Sequence, residues 1–66
     1  MNFLDAVMAL EQRIKAGHPR MAIKCSKSVK VYLDSGDLVY YEGAELYLFS
    51  PTLEMLKLND WEVVDG

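Results

Sequence analysis

The sequence predicts an α+β fold: an N-terminal helix packed on a small, mostly antiparallel β-sheet, with a short second helix before the last strand. Three observations predict it. Over residues 2–16 the apolar side chains recur at helical spacing. From Arg20 the spacing changes to two and holds as far as Phe49, broken only by turn-forming clusters. A Ser-Pro pair then opens a second helical turn ahead of a final alternating run.

Phe3, Val7, Leu10 and Ile14 lie one turn apart and form one face of the first helix, flanked by Leu4 and Met8. Asn2 suits the N-cap, and Asp5 in the first turn suits the positive helix end. Gly17 ends the helix, and His18-Pro19 prevents its continuation. Met21, Ile23 and Cys25 alternate with Ala22 and Lys24 in a first short strand. Ser26-Lys27-Ser28 is a turn, followed by Val29, Val31 and Leu33 alternating with Lys30 and Tyr32. Asp34-Ser35-Gly36-Asp37 is a hairpin turn, so residues 29–41 read as a hairpin. Glu42-Gly43-Ala44 leads into a strand over Glu45–Phe49. Ser50 is the expected cap of the second helix and Pro51 its first residue, with Leu53 and Leu56 facing inward. Asn59-Asp60 breaks that helix, and Trp61-Glu62-Val63-Val64 forms the last strand. The order is α-β-β-β-β-α-β. One sheet face takes the first helix. The other carries Tyr32 and neighbouring aromatics and needs a cover, which a second copy could supply.

The chain has 66 residues, so residues 1–66 are expected to form a single domain. Ten acidic against seven basic residues give a net charge of −3, which argues against a duplex nucleic-acid reader. There is no apolar stretch long enough for a membrane span and no basic leader, so a cytoplasmic, reducing setting is expected. One cysteine and one histidine exclude an internal disulfide and the usual Cys/His zinc sites. A core this small supplies roughly 3–5 kcal/mol. With 52% hydrophobic residues and no staple, the chain is expected to form a homo-oligomer, a dimer or tetramer.

No catalytic constellation stands out. Cys25 lies on the apolar side of its strand and His18 precedes a proline, so nothing orients a nucleophile–base pair. There is no glycine-rich phosphate loop, and the acid pairs sit at turns. The protein is read as a non-enzyme with no cofactor and no metal. The cations are more informative. Arg20, Lys24, Lys27 and Lys30 are four of the seven basic residues and fall within one short stretch. Pairing of the first two strands would set Lys24 and Lys30 on one face with Tyr32. Cations beside aromatic rings can bind phosphate and stack a base. They can equally be the lysines that guard a sheet edge. The candidate ligand-binding residues are Arg20, Lys24, Lys27, Lys30, Tyr32 and Tyr40. Trp61 is read as core.

The start Met-Asn-Phe-Leu-Asp-Ala-Val-Met-Ala-Leu and the end Leu56-Lys57-Leu58-Asn59-Asp60-Trp61-Glu62-Val63-Val64 resemble the phage Thoeris anti-defence 2-like family. The likeness covers about half the chain, and the Asp-Trp-Glu-Val ending after a leucine turn is its most specific part. Many members carry an Arg-Arg-x-x-Trp-like segment after the first helix. Here Ile23–Ser28 keeps lysines and lacks the tryptophan. The resemblance implies a phage protein in the cytoplasm of an infected bacterium. It would be a homo-oligomer that sequesters a cyclic nucleotide immune signal, of cyclic ADP-ribose type or a cyclic dinucleotide, without cleaving it. A second reading is a phage inhibitor that binds a host nuclease or CRISPR component through an acidic, aromatic surface. A third is an accessory domain, or a small toxin-like protein, with no ligand.

Overall fold

The computed structural model describes residues 1–18 and 20–66. The elements run α1 (Phe3–Lys15), β1 (Met21–Lys24), β2 (Tyr32–Asp34), β3 (Asp37–Glu42), β4 (Glu45–Leu48), α2 (Leu53–Lys57) and β5 (Glu62–Asp65). The α+β architecture and its element order are those the sequence predicts.

Helix α1 starts where Asn2 Oδ1 accepts from the Asp5 N–H at 2.8 Å, so one orphan donor of the first turn is satisfied. It ends in a Schellman motif. The His18 N–H reaches the Arg13 carbonyl and the Gly17 N–H reaches that of Ile14, with Gly17 at φ +94°. The expected helix-breaking role of Pro19 lies outside the described residues. Leu10 and Ala6 are fully buried, with Phe3, Val7 and Ile14 packed beside them. Leu4 and Met8 remain more than half exposed, so the flanks of the predicted stripe face outward.

The strands form two antiparallel sheets. In one, β1 pairs with β5, from Met21 opposite Asp65 to Lys24 opposite Glu62. The other is the meander β2-β3-β4. Among the described residues a single residue pair joins them: Ile23 and Val31 exchange both main-chain hydrogen bonds, each at 2.8 Å. The two hairpin turns differ. Ser35 (φ 52°) and Gly36 (φ 87°) both lie at positive φ, the type I′ pattern. At Gly43-Ala44 only the glycine does (φ 64°), the type II′ pattern, which glycine tolerates because it has no Cβ.

The core gathers Ala6, Leu10, Ile23, Cys25, Val31 and Trp61, with α1 on one side and the Ile23–Val31 junction on the other. Trp61 is held from three directions. Its Nε1–H donates to the Met55 carbonyl at 2.9 Å, and its main-chain N–H donates to the Met1 carbonyl. Phe3 stands edge-on to its ring at 5.0 Å. The Met1 ammonium donates to the carbonyls of Asn59 and Trp61.

Four local expectations are corrected. The second helix is capped by Thr52, whose Oγ1 accepts from the Met55 N–H at 3.2 Å, and not by Ser50; Pro51 lies before the helix. Leu53 and Leu56 face solvent, at 67% and 46% exposure, because it is Met55 that packs on the core. The hairpin begins at Tyr32; Val29 lies outside it and is exposed, and Val31 enters only through its bridge to Ile23. Trp61 precedes the last strand and does not belong to it.

Candidate functional site

A two-residue alternation fixes which aromatic rings can meet. Tyr32 pairs with Val39 across the β2–β3 ladder, so Tyr41, two residues further along β3, shares their face. The two tyrosine rings stand edge-to-face with centroids 5.4 Å apart. Arg20 is brought beside them by the neighbouring sheet: its carbonyl accepts from the Gly66 N–H at 2.7 Å, just beyond the last β1–β5 pair. A Cβ on Gly66 would press against the Tyr32 ring and the Arg20 carbonyl, so this wall of the site is bare backbone. Arg20, Tyr32, Asp34 and Tyr41 thus surround one open cleft of about 430 Å³. That is within the usual range for small-molecule sites, about 300–1,000 Å³.

Arg20 also borders a second open cleft of about 430 Å³, with His18, Met21 and Asp65. One cation therefore stands between two concave surfaces. Its guanidinium can form two parallel hydrogen bonds to a phosphate, and the tyrosines offer flat faces to a base.

The other expected site residues do not line this cleft. Lys24 and Lys30 flank the Ile23–Val31 pair, and alternation sets them on the Tyr32 side of the sheet. The Lys24 ammonium turns to the Cys25 carbonyl at 3.2 Å, and the residue lines a separate cleft with Ser26, Asp60 and Glu62. Lys27 pairs with Glu54 at 3.1 Å, both well exposed. Lys30 is exposed. Tyr40 takes the opposite face from Tyr32. It stacks on Tyr47 with ring centroids 5.6 Å apart and lines an apolar groove with Val29, Leu48, Phe49 and Met55. The structure therefore joins Arg20 to Tyr32 and adds Tyr41, Asp34 and Gly66. The Tyr41 signal was available in the sequence: a two-residue turn at Ser35-Gly36 fixes the parity of the ladder, and that parity favours Tyr41 over Tyr40.

Two ionisable groups are perturbed. Asp60 is held below the usual carboxylate value by hydrogen bonds from Ser26, its hydroxyl first and its main-chain N–H second. The Tyr47 hydroxyl is pushed up, chiefly by its hydrogen bond to the Glu45 carboxylate. Cys25 is buried in the core, where its thiol packs as a small apolar group. Among the described residues no three His, Cys, Asp or Glu side chains gather where they could hold a metal ion, and no helix is long and apolar enough to cross a membrane.

No family model matches the chain, and no curated protein or solved structure is significantly similar to it.

Proposed function

We propose that the protein binds and sequesters a cyclic nucleotide signal, of cyclic ADP-ribose type or a cyclic dinucleotide, without cleaving it. It would act as a phage anti-defence protein in the bacterial cytoplasm. The observation that supports this reading best is the placement of Arg20 between two clefts, one of them walled by Tyr32 and Tyr41. A cyclic nucleotide carries its phosphates between two flat or sugar-bearing arms. Arg20 would take a phosphate, the tyrosines one base, and Asp34 would accept from a ribose hydroxyl. The likeness of both chain ends to the Thoeris anti-defence 2-like family points the same way. Lys24 and Lys27 contribute to the field rather than to contact, since their ammonium groups already have partners. Sequestration needs no chemistry: it lowers the free signal by mass action, so it demands an affinity tighter than that of the host effector.

Calorimetric titration with cyclic ADP-ribose isomers and cyclic dinucleotides tests the reading. One of them should bind and be recovered intact. Arg20→Ala should weaken binding by about 1–3 kcal/mol, the scale of a charge-assisted hydrogen bond, at unchanged melting temperature. No heat with any of them, from folded protein, overturns it. The second reading, inhibition of a host nuclease or CRISPR component, is favoured by one observation. Leu46, Tyr47 and Leu48 are exposed beside the acidic pair Glu42 and Glu45.

A further inference from the structure

We propose that β4 is the contact edge of a two-fold dimer. It pairs antiparallel with the same strand of a second copy, Leu46 of one opposite Leu48 of the other and Tyr47 on the axis. The proposal stands apart from the ligand reading.

The free edges of the two sheets are unlike. The β5 edge carries Glu62 and Asp65 at its ends, the charges that keep an edge from pairing. The β4 edge has an acid at one end only, Glu45, and continues Leu46-Tyr47-Leu48, at 46%, 40% and 73% exposure, with neither lysine nor proline in the strand. Both faces of β4 are bare: Leu46 and Leu48 share one with Tyr41, and Tyr47 shares the other with Tyr40.

Main-chain direction settles how a partner can pair. The two-residue turn at Gly43-Ala44 makes Glu42 and Glu45 a hydrogen-bonded pair, and alternation does the same for Tyr40 and Tyr47. The Phe49 N–H to Leu38 carbonyl bond at 2.8 Å continues that series. The N–H and C=O groups of Leu46 and Leu48 therefore point away from β3, and among the described residues nothing pairs with them. They lie two residues apart, so a two-fold axis at Tyr47 matches each with the other and forms four hydrogen bonds. A one-residue shift sets inward-pointing groups against outward ones. Axes at Leu46 or Leu48 would draw in Ala44 of the turn or Ser50 before Pro51. With the axis at Tyr47, Glu45 faces Phe49 of the other copy, and the acids of the two copies stay apart.

Sedimentation velocity at tens of micromolar should show twice the 7.5 kDa chain mass. Leu48→Lys should weaken the dimer at least 100-fold. Leu48→Pro should do the same, since it removes one outward N–H and leaves the β3 ladder whole. Both variants should keep the wild-type circular dichroism, because the side chain is exposed. Tyr47→Cys should cross-link two copies through a disulfide under mild oxidation, since cross-strand partners at the axis lie about 4.5 Å apart at Cα. Glu45→Cys should not. A dimer that survives Leu48→Lys, one lost instead on Met8→Lys at the exposed face of α1, or equal cross-linking at both positions overturns the proposal. So does a wild type that stays monomeric, which would leave the edge to a foreign protein partner.

Discussion

Trp61 carries more of the structure than any other side chain. It is the only tryptophan and is 1% exposed. Its ring meets Phe3 and Phe49 edge-on. Trp61→Ala should cost about 3–5 kcal/mol, comparable with the whole stability of so small a domain, and leave the chain largely unfolded at 37 °C. Trp61→Phe should cost only about 1–2 kcal/mol, because the Met55 carbonyl keeps the Leu58 N–H as a donor. Urea titration separates the two. Its neighbour Asp60 contributes to the acid limb of stability. Its carboxyl titrates lower in the folded chain than the ordinary 3.8, so its contribution is fully present above that value and is lost as the pH falls below it. Asp60→Asn should therefore lower the melting temperature at neutral pH and converge with wild type in acid. At this scale the sequence was informative about Trp61, whose bulk and indole N–H demand burial with a partner. It was less so for Leu53 and Leu56: one turn of helix offers three apolar positions, and tertiary packing chose Met55.

Secondary-structure elements were legible wherever a backbone group had one obvious partner. Asn2 precedes a long stripe, and its side chain could reach only the first turn of α1. Asn2→Ala should cost about 1 kcal/mol. The second cap was ambiguous because Ser50 and Thr52 are both good caps, and Pro51 suits a helix start or the residue ahead of a cap. Geometry selected Thr52. The β2–β3 turn shows what the chain tolerates. Ser35 takes φ +52°, a left-handed conformation that costs an ordinary residue about 1–2 kcal/mol and asparagine less. Ser35→Asn should stabilise the protein by about 0.5–1 kcal/mol, read as a higher urea midpoint at unchanged slope.

For the whole molecule, α+β order and antiparallel pairing followed from periodicity, while the division into two sheets did not. Alternation says which residues share a face, but not that β1 would leave β2 after one pair to run alongside β5. The site depended on that choice. The β1–β5 ladder sets Arg20 beside Tyr32, and the ladder parity sets Tyr41 there in place of Tyr40. Lys24 and Lys30 do share the Tyr32 side, as alternation predicts, but Lys24 turns to the Cys25 carbonyl, and Lys27, in the turn at Ser26–Ser28, pairs with Glu54. Tyr41→Ala should accordingly weaken nucleotide binding about tenfold or more in the same calorimetric titration, while Tyr40→Ala should leave it within twofold.

The single main-chain joint between the sheets has a consequence for how the protein breathes. Ile23 and Val31 are fully buried, and their two amides are bonded only to each other's carbonyls. Neither can exchange its proton with solvent unless the sheets part at that point. If the molecule opens as one cooperative unit, these amides exchange with the free energy of global unfolding and match those in the middle of β3. If they exchange faster than β3 does, the meander and the α1–β1–β5 unit are separate foldons hinged at one residue pair. Arg20 and the tyrosine face would then lie on opposite sides of the hinge. A ligand spanning them would slow exchange at Ile23 and Val31, two residues it never touches.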